Sequence, residues 1–298
     1  MIGGLVLAGL CALAWAGLDA VRKQLSGAIA PLPLLALLNL GLVPIFAAWW
    51  AFAGGAITDL GAYLVPASIA LVLQITANVL FFAALRASPL SLTIPFLGLT
   101  PAFATLVGAL VLDEQPSLAQ GAGAGLVVLG ALTLGSGASE DLDEEKTGHA
   151  RIGLLQVFVR ERGALMMCGV ALCWALTMSL DKQALRVAAV PIHALVELVG
   201  VLVAVLVYLA IRGRLAELAV ERSQWRRLAL ALLIFASAFA LQLTVIQVVD
   251  IAIVETIKRA VGLLSAVALG WWLFDEHVGA KTMIAVVLMV IGVVAVML

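Results

Sequence analysis

Charge is what this 298-residue sequence has least of. Asp, Glu, Lys and Arg make up 12% of the residues, apolar types 64%, and the mean hydropathy is +1.18. A soluble domain carries about 25% charged residues. Half that content in a chain this long leaves too little polar surface to clothe a water-soluble globule. The net charge of -1 and the lack of a basic stripe exclude a nucleic-acid partner. Cysteines are few as well: Cys11, Cys168 and Cys173, each inside an apolar run. Cys168 and Cys173, five apart on one helix, point to different faces and read as small packing residues. The histidines, His149, His193 and His277, include no pair spaced for metal binding, so no metal site is expected. No Gly-x-x-x-x-Gly-Lys-Ser/Thr, Gly-x-Ser-x-Gly or His-Glu-x-x-His occurs. These absences argue against a built-in ATPase or another enzyme, and no cofactor is expected. The apolar N-terminus has no basic stretch before it and reads as a retained helix, not a signal peptide.

What is present is length in apolar runs. A membrane-crossing helix needs about 20 mostly apolar residues to span about 30 Å of hydrocarbon. Runs of that kind fall at about 2–21, 31–53, 62–85, 89–112 and 118–136, then at about 163–181, 189–211, 227–248, 250–274 and 279–297. The one long polar stretch, Gly135 to Arg162, contains the acidic run from Glu140 to Glu145 and reads as a solvated linker. The domain plan is therefore a five-helix unit at 1–136, a linker at 137–162 and a second five-helix unit at 163–298. Thirteen basic residues fall on odd-numbered connections and two, Lys182 and Arg186, on even-numbered ones. By the positive-inside rule the odd connections are cytoplasmic and both termini lie outside the cytoplasm.

The halves repeat each other. Residues 12–24 align with 171–183, pairing Trp15 with Trp174 and Lys23-Gln24 with Lys182-Gln183. An offset of 162 later pairs Gly108 with Gly270, Asp113-Glu114 with Asp275-Glu276, and Gly130 with Gly292. Each half holds five spans, an odd number, so the second half enters the membrane from the opposite side. The expected fold is all-α and polytopic, ten transmembrane helices as two inverted five-helix repeats around a central cavity. Inverted repeats are a recurrent plan of secondary transporters, with the substrate near the midplane. A repeat kept only as a folding convenience, or a channel, is the competing reading.

Two tracts carry a family resemblance. One runs from Ala83-Ala84-Leu85-Arg86-Ala87-Ser88-Pro89 through Leu99-Thr100-Pro101-Ala102-Phe103 to Val111-Leu112-Asp113-Glu114 and a Gly-rich helix from Gly121 to Gly130. The other is Ile257-Lys258-Arg259 followed by Leu269-Gly270-Trp271-Trp272-Leu273-Phe274-Asp275-Glu276. Along essentially its whole length the chain resembles the EamA-type branch of the drug/metabolite transporter superfamily. That family usually shows Gly-Glu where this chain has Asp-Glu. The resemblance implies a basket of helices around a cavity, with the fourth, fifth, ninth and tenth helices as scaffold.

Lys258-Arg259 is the sharpest signal. Lys258 lies eight residues beyond Asp250, about 12 Å into its span. Each cation at a helix centre costs about 2.5–3.5 kcal/mol. Glu255, three and four residues before them, is spaced for intrahelical ion pairs but cannot neutralise both. Contact with a substrate or coupling ion and a purely structural role both remain open. The pair is similar to that of plastid sugar-phosphate/phosphate translocators. That likeness implies that Lys258 and Arg259 meet an anionic group, phosphate or carboxylate.

Gln74, Thr76 and Asn78 in the third span, and Gln242, Thr244 and Gln247 in the eighth, are candidate cavity lining or interhelical packing. Trp15 and Trp174, both mid-span, wall the cavity or pack the core with equal claim. Asp19 with Lys23, and Asp181 with Lys182, read as end-of-helix charges. Pro95 and Pro101 should break the fourth helix. Gly121 and Gly125 read as a close-packing pair, and Trp49-Trp50 with Trp271-Trp272 as interfacial anchors.

The expected function is secondary transport of a small metabolite bearing an anionic group, by alternating access, in a bacterial inner membrane. The substrate-binding candidates are Lys258, Arg259, Glu255, Gln74, Asn78, Gln242, Trp15 and Trp174. Expected partners are the substrate, membrane lipid, and a coupling proton or counter-substrate, with the chain acting as a monomer. Flipping of a phosphate-headed lipid is the alternative within transport; an intramembrane enzyme or a channel stand further off.

Overall fold

Apolar runs of this length fold as helices because, in lipid, only a helix pairs its own backbone groups. A computed structural model describes residues 2–87, 94–146, 162–274 and 280–297, and their regular structure is helical. The helices are α1 (Ile2–Leu25), α2 (Pro31–Ala53), α3 (Leu60–Ala87), α4 (Thr100–Val111), α5 (Leu118–Lys146), α6 (Arg162–Ala184), α7 (Val190–Ile211), α8 (Trp225–Val245), α9 (Ile251–Phe274) and α10 (Ala280–Val296). Among the described residues, six segments are long and apolar enough to cross a membrane: Ile2–Arg22, Pro31–Ala53, Leu60–Ala84, Arg162–Ala184, Val190–Ile211 and Arg222–Val245. With the shorter apolar helices Phe96–Val111, Leu118–Thr133 and Lys281–Val296 they make a multi-pass membrane protein. Helix α5 continues to Lys146, so the acidic run at 140–145 has a helical backbone.

The chain forms two compact units. One comprises Met1–Ile75 with Leu180–Val249, the other Thr76–Ser179 with Asp250–Leu298. Each therefore draws helices from both sequence halves. In the first unit α1 packs on α8 and α2 on α7; in the second α4 packs on α9 and α5 on α10. The α1–α8 face carries Trp15 against Phe235, with ring centroids 5.7 Å apart. Arg22 lies over Phe235 at 4.9 Å and forms a 3.9 Å ion pair with Asp19. Asp19 thus meets Arg22, three residues on; the side chain of Lys23, its expected partner, lies outside the described residues.

The α5–α10 face is built on glycine. A methyl at Gly123 would sit 2.5 Å from the carbonyl oxygen of Gly292, and one at Gly130 would sit 2.9 Å from that of Ala285. Numbers rise along α5 as they fall along α10, so the two helices run antiparallel. Helices α4 and α9 are antiparallel too, since Gly108 meets Ile251 and Thr100 meets Arg259. The expected pair Gly121 and Gly125 is not the packing pair: nothing lies within 4 Å of a Cβ at either. They share a face with each other, but that face is turned away from α10. Gly123→Ala should therefore lower the melting temperature by an amount corresponding to about 1–3 kcal/mol of overpacking. Gly121→Ala should be neutral or slightly stabilising; equal shifts in a detergent thermal-denaturation assay would refute the assignment.

Candidate functional site

The second unit holds the cationic pair. Its framework begins at Pro101, which has no N–H to give to the carbonyl of Leu97 one turn earlier. The Thr100 hydroxyl takes that place, donating to the Leu97 oxygen at 2.6 Å. Here a 3-10 turn, Ile94–Leu99, gives way to α4, so the fourth span is broken at its prolines as expected. The same Thr100 oxygen accepts from Nη2 of Arg259 at 3.1 Å. Lys258 forms an ion pair with Glu255 and reaches Sδ of Met178 at 3.8 Å. Glu255 is 1% exposed, whereas the Lys258 side chain keeps 18% of its surface. The charge balance of α9 is one carboxylate to two cations, all within its first nine residues.

Asp113 and Glu114 set where α9 begins. Asp113 has φ +56, the left-handed region that glycine occupies at least cost. This is the place where the family usually has Gly. The turn lets the Glu114 amide donate to the Gly108 carbonyl at 3.1 Å. The Glu114 carboxylate packs over Gly108 and accepts from the Ile251 amide at 3.4 Å. A carboxylate at an N-terminal turn satisfies an otherwise orphaned N–H and meets the positive end of the helix dipole. Glu114→Ala should destabilise by about 1 kcal/mol, the cost of a lost helix cap. Asp113→Gly should be neutral or stabilising. A thermal-denaturation series that reverses this order would refute the arrangement.

Of the residues expected to bind substrate, Glu255, Lys258, Arg259, Trp174 and Asn78 belong to this second unit. Trp174 packs against Phe81 with the rings tilted and their centroids 6.2 Å apart. Trp15, Gln74 and Gln242 belong to the first unit. Thr76 and Thr244 are exposed on their helices, and Thr244 bonds the Ala240 carbonyl of its own helix at 2.8 Å. In the first unit a pocket of about 270 Å³ is lined by Lys182, Leu185, Arg186 and Gln247. Lys182 donates to the Val249 carbonyl at 2.9 Å.

Trp49 and Trp50 are exposed at the end of α2, and Trp50 donates its indole N–H to the Gly55 carbonyl at 2.7 Å. The side chains of Trp271 and Trp272, and the Asp275-Glu276 pair, lie outside the described residues. Asp181 lies in the last turn of α6, as its end-of-helix position implies, but is buried. It meets His193 of α7, an association that sequence reading missed along with Glu197. The available signal was the four-residue spacing of His193 and Glu197 inside an apolar run.

Charged side chains held inside an apolar helix of a multi-pass protein mark functional sites such as substrate or ion pathways. The profile of the EamA-like transporter family matches residues 2–136 and 161–298. The chain belongs to that family, and is a membrane transporter of the drug/metabolite type. A solved structure described as "Crystal structure of protein" is similar in fold, with a TM-score of 0.78 at 19% identity. That similarity covers 99% of this chain and 98% of the other. No curated protein matches the chain by sequence.

Proposed function

We propose that the protein is a secondary transporter of a small metabolite with a carboxylate or phosphate group. Lys258 and Arg259 are its anion contact. The observation that carries this is the net positive charge of α9 in a helix otherwise almost wholly apolar. Lys258 is steered by Glu255 and Met178 and Arg259 by Thr100, so both cations are held in place. Two adjacent cations, with one buried carboxylate between them, repay the cost of burial best when an anion joins them.

Alternating access by two inverted five-helix repeats, at 1–136 and 163–298 about a linker, is the mechanism we infer. Repeat-related helices meet as partners: α2 with α7, α4 with α9, α5 with α10. The contact of Gly123 with Gly292 becomes that of Gly130 with Ala285 when each residue moves by the repeat offset of 162. A two-fold that exchanges the halves produces such reciprocal contacts between antiparallel helices. The two repeat-related tryptophans follow suit, each in tilted ring contact with a phenylalanine from the third helix of the opposite half. Trp15, Trp174, Gln74, Asn78 and Gln242 are the remaining lining we assign. The membrane is a bacterial inner membrane, the termini lie outside the cytoplasm, and the chain works as a monomer with a proton or counter-substrate.

The test is uptake into liposomes containing the purified protein, with libraries of phosphorylated metabolites, carboxylates, amino acids and organic cations. Saturable uptake and counterflow of an anionic class supports the reading. Unsaturable flux indicates a channel, chemical conversion an enzyme, and movement of labelled phospholipid between leaflets a flippase.

A further inference from the structure

Tyr63, Asp181, His193 and Glu197 form a polar cluster in the first unit that the transport reading does not use. The backbone assembles it. The segments before α3 and α7 pair through an Ile57–Ala188 bridge, with Thr58 N–H donating to Val187 at 2.8 Å and Ala189 N–H to Ala56 at 3.3 Å. Gly55, at φ +102, makes room for this: a methyl there would sit 2.5 Å from Cβ of Ala189. Two helices thus start side by side, which sets Tyr63, early in α3, against His193, early in α7. Glu197 follows His193 by one turn on the same face, and Asp181 arrives from the last turn of α6.

Asp181, His193 and Glu197 are 2%, 0% and 6% exposed. Among the described residues no lysine or arginine is ion-paired with them; Asp181 meets both His193 and Glu197. Two carboxyls and an imidazole buried in an apolar protein are tolerated when the carboxyls take up protons or when a cation joins them. The geometry at His193 favours a cation. Nε2 of His193 and Oδ1 of Asp181 are 3.4 Å apart, buried, and neither makes a hydrogen bond. A shared proton would bring them to about 2.8 Å and align them. Two lone pairs at about 3.4 Å are instead the edge of a tetrahedron with ligand bonds of about 2.0–2.2 Å. One donor atom from each of the three residues lies within 4.8 Å of the others. The Tyr63 hydroxyl meets Nδ1 of His193 at 3.1 Å. With Nδ1–H donating to it, the lone pair of Nε2 points into the cluster, the outer arrangement that metal-binding histidines use.

We propose that Asp181, His193 and Glu197 bind one divalent transition-metal ion of the zinc class, with Tyr63 holding the imidazole in register. One nitrogen and two carboxylate oxygens suit zinc or manganese better than calcium, which takes six to eight oxygens. The ion would tie the end of α6 to the start of α7.

The test is zinc binding to the purified full-length protein in detergent, by calorimetry and by metal analysis after dialysis. The wild type should bind one ion per chain. His193→Gln and Glu197→Gln should weaken binding beyond detection, and Tyr63→Phe by about 10- to 100-fold, the usual loss for an outer partner. Should the ligand variants fail to fold, X-ray absorption at the zinc edge of the wild-type protein decides. One nitrogen and two oxygens at about 2.0–2.2 Å support the site. A wild type without stoichiometric zinc, or an ion retained in His193→Gln but lost on replacing His149 and His277, overturns it.

Discussion

Replacing Lys258 or Arg259 with alanine should reduce liposome uptake of the anionic substrate by about 10- to 100-fold, the range for losing one charged hydrogen-bonding partner. The two variants should differ in origin. Arg259 touches the junction of the 3-10 turn and α4 through Thr100, so Arg259→Lys loses the forked geometry and should rescue poorly. Lys258 acts as a point charge beside Glu255, so Lys258→Arg should retain part of the activity. Thr100→Val removes the hydroxyl that Arg259 uses, and should raise the half-saturation concentration without abolishing transport. Thermal stability of Arg259→Ala should stay near that of the wild type. Lys258→Ala takes the cation from the buried Glu255 carboxylate and should be destabilised, so its uptake is compared per folded protein. Normal uptake by both alanine variants would remove the anion assignment.

Glu255→Ala is expected to be the most destabilising single substitution at this site, by about 3–5 kcal/mol. That is the range for breaking a buried ion pair from one side. The carboxylate is almost wholly buried, and its loss leaves Lys258 and Arg259 adjacent in an apolar helix with no acidic residue. The double variant Glu255→Ala/Lys258→Ala should recover much of the loss, because the uncompensated cation goes with its partner. Glu255→Gln should lie between. Thermal denaturation in detergent measures all four proteins. A double variant as unstable as the sum of its singles would show that the pair contributes no coupling.

Much of this architecture is legible in the sequence because lipid imposes a length on apolar runs. Helix α2 falls at Pro31–Ala53, where the apolar run alone places it. The Lys258–Glu255 pair was legible too, since residues three apart on a helix are neighbours. The bond from Arg259 to Thr100 was not, because it spans 159 residues and depends on how α9 is rotated against α4. Rotation also explains the glycines of α5. Composition shows a helix rich in small residues, but only the partner decides that Gly123 and Gly130 face it and Gly121 and Gly125 do not. Glu197 escaped notice for the opposite reason. A lone acid in a run as apolar as α7 reads as a tolerated exception until Asp181 and His193 are found beside it.

The two halves being inverted is the claim on which the carrier mechanism rests, and sided labelling tests it most directly. In a background with Cys11, Cys168 and Cys173 replaced, single cysteines are placed at Ser26, just after α1, and at Arg186, just after α6, both exposed. The repeat offset of 159 pairs Ser26 with Leu185, the neighbour of Arg186, so the two positions mark equivalent connections. A membrane-impermeant maleimide applied to intact cells and to inverted vesicles should reach Arg186→Cys from outside and Ser26→Cys from the cytoplasm only. Labelling of both from the same side would contradict inverted repeats and the alternating-access account built on them.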